Sequence, residues 1–162
     1  SIRLLSDAVG ERALIGAGTV SRSAEVERLA QAGGRLVVMP HGDPAVISEA
    51  KRLGLLCVPG VATPTEAFAA LHAGADALKL FPAEAMPPAV VRAWRAVLPK
   101  NVWLLPVGGI TPEIVRPYLD AGADGFGLGS ALYMAGMDGA RITANARAFV
   151  SAWRARPGAG SV

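Results

Sequence analysis

Residues 33–60 read GGRLVVMPHGDPAVISEAKRLGLLCVPG. Two apolar runs, "RLVVMP" (35–40) and "LLCVPG" (55–60), flank a segment that carries the marks of a helix. Asp43-Pro44 supplies a cap and a first-turn proline. Val46, Ile47, Ala50 and Leu53 follow at three- and four-residue spacing, and Gly54 stops the helix. The two runs are continuously apolar rather than alternating, as strands covered on both faces are. Strand, helix, strand in this order implies a crossover between parallel partners.

The same unit recurs on either side. Apolar runs at 13–20, 35–40, 55–60, 76–82, 102–109 and 125–130 each end in Gly, Pro or a small polar residue. Thr63-Pro64-Thr65-Glu66 is a capping box with proline at the first helical position. Thr111-Pro112-Glu113 opens a further helix, with Ile114, Val115, Tyr118 and Leu119 as its apolar stripe. Gly33, Gly54, Gly74 and Gly122 fall where helices should end, and the first three recur every 20–21 residues. Alternation of this kind specifies a parallel α/β sheet, and continuously apolar strands favour a (βα) barrel over an open sheet. No GxGxxG or P-loop spacing is present, which weakens a dinucleotide-binding reading. A closed barrel needs eight strands, and six are visible. The expectation is therefore six βα units of a (βα)8 TIM barrel whose first two strands are missing from residues 1–162, read as a single domain.

Composition narrows the function. The chain has 162 residues, 52% of them hydrophobic, enough for a sizeable core. No apolar run reaches the ~18–20 residues of a membrane-spanning helix. The net charge of +3 comes from scattered residues, and aromatics make up only 6%, which argues against nucleic-acid binding. A lone cysteine, Cys57, has no internal disulfide partner, which suits a reducing, cytoplasmic setting. His41 and His72 lack the partners of a triad, and no metal-ligand spacing occurs.

In parallel α/β folds, sites gather at the carboxyl ends of strands. Those ends include Thr19, Pro40, Lys79, Gly108-Gly109 and Gly129-Ser130. Lys79 is the anomaly, because an ammonium in an apolar strand costs several kcal/mol unless it is paired or loses its proton. Desolvation would lower its pKa and free an amine able to form a Schiff base. Alternatively, the side chain snorkels to the strand end and pairs with Glu84 or Asp76. Thr19 either contacts a substrate or caps the next turn. The loops "VGGITP" and "GLGSALY", the latter with Ser130 at a helix start, are either tight βα turns or a phosphate cradle. As the last two of their kind in a barrel, together they favour phosphate.

Four stretches then carry a resemblance. "LIGAGTV" (14–20), "CVPGVATPTEAFAALHAGADALKLFPAE" (57–84), "PVGGITPEIV" (106–115) and "DAGADGFGLGSALY" (120–133) closely resemble the 2-keto-3-deoxy-6-phospho-sugar-acid aldolases, class I enzymes of the (βα)8 fold. The resemblance implies that Lys79 is the Schiff-base lysine. It implies a substrate-binding set of Thr19, Pro40 and Val107, with phosphate held by Gly108, Gly109, Gly129 and Ser130. It further implies no metal or organic cofactor and a homotrimer. The expected ligands are a phosphorylated 2-keto-3-deoxy sugar acid, pyruvate and glyceraldehyde 3-phosphate. Val107 stands where members acting on the gluconate epimer carry threonine, which favours the galactonate epimer. The family's carboxylate-binding arginine and proton-moving glutamate lie on strands this chain is expected to lack, so the chain made alone is expected to be inactive or poorly soluble, the alternative to an aldolase being a non-catalytic sugar-phosphate-binding remnant. Glu84 is not assigned that role.

Overall fold

The structure, a computed structural model, describes residues 1–155. The helix signals fold as the sequence specifies. Asp43 accepts the Ala45 N–H at 2.8 Å, and Thr63 and Glu66 complete their capping box. The helix-ending glycines 33, 54, 74 and 122 all have positive φ, the conformation that costs glycine least.

The chain divides into two compact units. The first comprises Ser1–Lys79 with Asn101–Trp103. It contains α1 (Ile2–Val9), β1 (Gly16–Ala17), α2 (Ser23–Gln31), β2 (Leu36–Val38), α3 (Pro44–Arg52), β3 (Leu56–Val58), β4 (Gly60–Val61) and α4 (Pro64–His72). Strands β1, β2 and β3 pair in that order and in parallel, with Gly16 opposite Leu36 and Leu36 opposite Leu56. Helix α3 buries Val46, Ile47 and Ala50, the stripe its spacing predicts. Val37 and Cys57 from the strands, and Met39 just past β2, are fully covered.

The second unit comprises Leu80–Lys100 and the chain from Leu104. Strand β5 (Ala77–Leu80) ends at its start, followed by a 3-10 turn (Ala83–Ala85) and α5 (Pro88–Arg95). Then come β6 (Trp103–Pro106), α6 (Pro112–Asp120) and α7 (Gly139–Arg154). In the second sheet β4 neighbours β5. Leu80, Val91, Leu104, Val115 and Tyr118 make the core of this unit.

The structure differs from the sequence reading at three places. The run 55–60 forms two short strands, because Pro59 has no N–H for the ladder and breaks it. The run 125–130 reduces to one parallel bridge, Val107 with Gly127. Three of its six residues are glycine, which weakens a strand. Ser130 opens a single hydrogen-bonded turn rather than a helix. The N–H groups of Leu132 and Tyr133 both donate to the Gly129 carbonyl, and helix resumes only at Gly139.

Candidate active site

Lys79 is the one charged residue in the buried set among the described residues, with 8% of its surface exposed. All four residues of β5 are buried, and the Lys79 N–H donates to the Pro59 carbonyl at 2.9 Å. Burial holds its ammonium below the ordinary lysine value of 10.5. Asp76, one of the two partners the sequence offers it, is engaged by Lys51 at 2.7 Å and by the Cys57 N–H at 2.8 Å. In the same unit, Thr19 follows β1 and is exposed, with φ +58. A threonine in the left-handed region is strained by about 1–3 kcal/mol, and such strain clusters at functional sites. Pro40 follows β2 and is half-buried, with its carbonyl so close to Gly60 that a Cβ there would lie 2.5 Å from it.

In the second unit, Val107, Gly108, Gly109, Gly129 and Ser130 line one cavity of about 480 Å³. The resemblance implies that these five face one ligand, and they share this cavity. Gly108 and Gly109 have φ +109 and +61, a conformation that side-chain-bearing residues rarely adopt. Val107 packs on Gly127, where a Cβ would stand 2.5 Å from a valine methyl. Gly129 is different, since a Cβ there would meet nothing within 4 Å. Packing within the protein does not require that glycine.

The group that sequence reading set aside is Glu84. It lines the same cavity, and its side chain lies against both paired glycines. The signal was available in "FPAE", which places a carboxylate just past the lysine strand, but spacing alone gives no direction to the side chain. Tyr118, predicted as core, is buried, and its hydroxyl also donates to the Ala83 and Met86 carbonyls at 3.0 and 3.1 Å. Cys57 is buried, with its thiol pushed up to about 11, first by burial and then by the Asp76 charge. Both disfavour the thiolate that a nucleophilic cysteine needs. Among the described residues no cluster of metal-ligating side chains occurs, and no helix is long and apolar enough to cross a membrane.

Comparison with known proteins places this geometry. Residues 1–144 match the family model described as KDPG and KHG aldolase. The 2-dehydro-3-deoxy-6-phosphogalactonate aldolase of Escherichia coli is 48% identical over 154 residues, covering 95% of this chain and 75% of the relative. A probable enzyme of the same name from Rhizobium meliloti is 48% identical over 142 residues, covering 88% and 67%. A solved structure described as native KDPGal superposes with a TM-score of 0.94, covering 96% of this chain and 75% of that one. The 2-keto-3-deoxy-6-phosphogluconate aldolase of Zymomonas mobilis, solved with 3-phosphoglycerate, superposes at 0.80 with 28% identity, covering 99% and 75%. With these matches, the alternating strands and helices are those of a (βα)8-type barrel.

Proposed function

The chain belongs to the KDPG and KHG aldolase family, and from that premise we propose that it cleaves 2-dehydro-3-deoxy-6-phosphogalactonate to pyruvate and glyceraldehyde 3-phosphate through a Schiff base on Lys79. The single observation that carries this reading is the burial of Lys79 on an otherwise apolar strand. Desolvation disfavours the ammonium and leaves more neutral amine to attack the C2 ketone. Loss of water gives an iminium ion. The C4 hydroxyl gives up its proton to water, the C3–C4 bond breaks, and its electron pair flows into the iminium as an enamine. Glyceraldehyde 3-phosphate leaves, C3 takes a proton, and hydrolysis returns pyruvate and the free lysine.

Thr19 and Pro40, at the ends of β1 and β2, are the substrate contacts in this reading, and strain at Thr19 supports a functional reason for that backbone. The paired glycines, with Gly129 and Ser130, hold the phosphate. The positive φ values and the space left open at Gly129 support this role. The chemistry requires no metal or organic cofactor. A homotrimer working in the cytoplasm completes the reading.

Preference for the galactonate epimer is supported by 48% identity to enzymes of that name, against 31% to the KHG/KDPG aldolase of Escherichia coli. Val107 lines the cavity with a methyl where a hydroxyl would otherwise reach the sugar chain. The test has two arms. Borohydride reduction with pyruvate should add a pyruvate-derived mass to Lys79 alone, and parallel assays should show faster cleavage of the galactonate epimer. A protein that takes up no mass loses the aldolase reading. Faster cleavage of the gluconate epimer reverses the substrate assignment.

A further inference from the structure

The cavity assigned to the phosphate end of the substrate contains one ionisable side chain that the proposed chemistry leaves idle. Glu84 is the only charged residue among those lining it. It is carried on the 3-10 turn Ala83–Ala85, and that turn is fastened on both sides. The Ala83 N–H donates to the Val107 carbonyl at 2.9 Å. The Tyr118 hydroxyl divides its proton between the carbonyls of Ala83 and Met86. Thus braced, the Glu84 side chain leans on the paired glycines. A Cβ on Gly109 would stand 2.7 Å from its Cγ, and a Cβ on Gly108 would collide with its carboxylate. The positive φ of both positions favours glycine, and the glutamate side chain fills the space beside them.

An ionised carboxylate accepts hydrogen bonds and donates none. It also repels a phosphate at short range. The complement of Glu84 is therefore a hydroxyl close to the phosphate rather than the phosphate itself. We propose that Glu84 is a specificity-determining residue that accepts a hydrogen bond from the C5 hydroxyl of the substrate, one carbon from the phosphate-bearing carbon. The inference rests on the aldolase reading above and identifies which part of the sugar chain this cavity reads. C5 is the candidate because the C4 hydroxyl becomes the aldehyde on cleavage. The C5 hydroxyl passes unchanged into glyceraldehyde 3-phosphate.

The reverse reaction tests this directly. With the full chain, pyruvate is condensed with glyceraldehyde 3-phosphate or with 3-phosphooxypropanal, the same aldehyde without its hydroxyl. The wild-type protein should prefer the hydroxylated aldehyde in kcat/KM by about 10- to 100-fold, the span of a hydrogen bond to a charged group. In Glu84→Ala that ratio should collapse to within a few-fold of one. Glu84→Gln keeps a neutral acceptor and should fall between. Trapping of pyruvate on Lys79 shows in both variants that the fold and the lysine are intact. A ratio near one in the wild type, or an unchanged ratio in both variants, overturns the role of Glu84 alone. A wild type that neither traps pyruvate nor condenses either aldehyde overturns the aldolase reading and this inference with it.

Discussion

The carboxylate of Asp76 accepts the backbone N–H of Cys57 at 2.8 Å. Asp124 does the same for Leu104, also at 2.8 Å. Each aspartate closes a Gly-Ala-Asp sequence, 74–76 and 122–124, directly after a helix. Each is also paired with a cation from an earlier helix, Lys51 of α3 or Arg95 of α5. The glycines serve twice. Their φ values of +101 and +104 end the helices. A Cβ would stand 3.2 Å from the Lys51 stem and 3.0 Å from that of Arg95. The internal repeat is thus a repeated clip that ties the start of a strand to the end of a later helix.

The relative weight of the two interactions in the clip is predictable. An ion pair as exposed as Lys51–Asp76 contributes about 0–1 kcal/mol. A buried N–H left without an acceptor costs about 1–3 kcal/mol. Asp76→Ala and Asp124→Ala should each lower the unfolding free energy by about 1–3 kcal/mol. The asparagine variants keep an acceptor oxygen and should lose under about 1 kcal/mol. Urea unfolding of the four variants decides it, and asparagine variants as weak as the alanine ones would shift the credit to the ion pairs.

Lys79 gives a signed dependence on pH. Its folded value lies below 10.5, while the unfolded side chain titrates near 10.5. Between the two the unfolded chain binds more protons, so this group makes stability rise with pH across that window. Below the folded value both states are charged and the cost of the buried ammonium is at its full size. Lys79→Met should therefore gain stability relative to wild type as the pH falls through that window, and it should form no pyruvate adduct. In the wild type, adduct formation should climb with pH to a midpoint below 10.5. A midpoint at the ordinary value would mean that burial does not tune this amine.

Thr19 sets strain against chemistry. Replacing a left-handed threonine by glycine relieves about 1–2 kcal/mol of backbone strain, offset by about 0.5–1 kcal/mol of added chain entropy. Thr19→Gly should leave thermal unfolding unchanged or raise stability by up to about 1 kcal/mol. If the hydroxyl contacts the substrate, kcat/KM should drop about 2- to 10-fold, the worth of one hydrogen bond. A variant that is stable and fully active would reduce Thr19 to a turn residue.

Most of the fold was legible because helix boundaries here are local chemistry. Asp43, Thr63 with Glu66, and the four helix-ending glycines act within a few residues of themselves, and each folded as its sequence implies. The run 125–130 failed for the same local reason in reverse, since three glycines give a strand little to pair with. Lys79 stood out because an ammonium in an apolar strand is costly in any fold. Glu84 could not be read in this way. Its importance depends on which way its side chain turns, and it is carried on a turn held by a residue 34 positions later, Tyr118, through bonds to Ala83 and Met86.

That dependence yields the last prediction. Burial first, and then the Glu84 charge, push the Tyr118 hydroxyl above its ordinary value of 10.0, so it stays a donor at every working pH. Tyr118→Phe removes the donor from two carbonyls of buried residues and should cost about 1–3 kcal/mol of stability. The further consequence concerns selectivity. With its anchor gone, the 83–86 turn loosens and Glu84 no longer rests reproducibly on Gly108 and Gly109. Preference for glyceraldehyde 3-phosphate over 3-phosphooxypropanal should then fall several-fold, while pyruvate trapping at Lys79 persists. Loss of stability with full retention of that preference would show that Tyr118 supports the core and has no part in aiming the carboxylate.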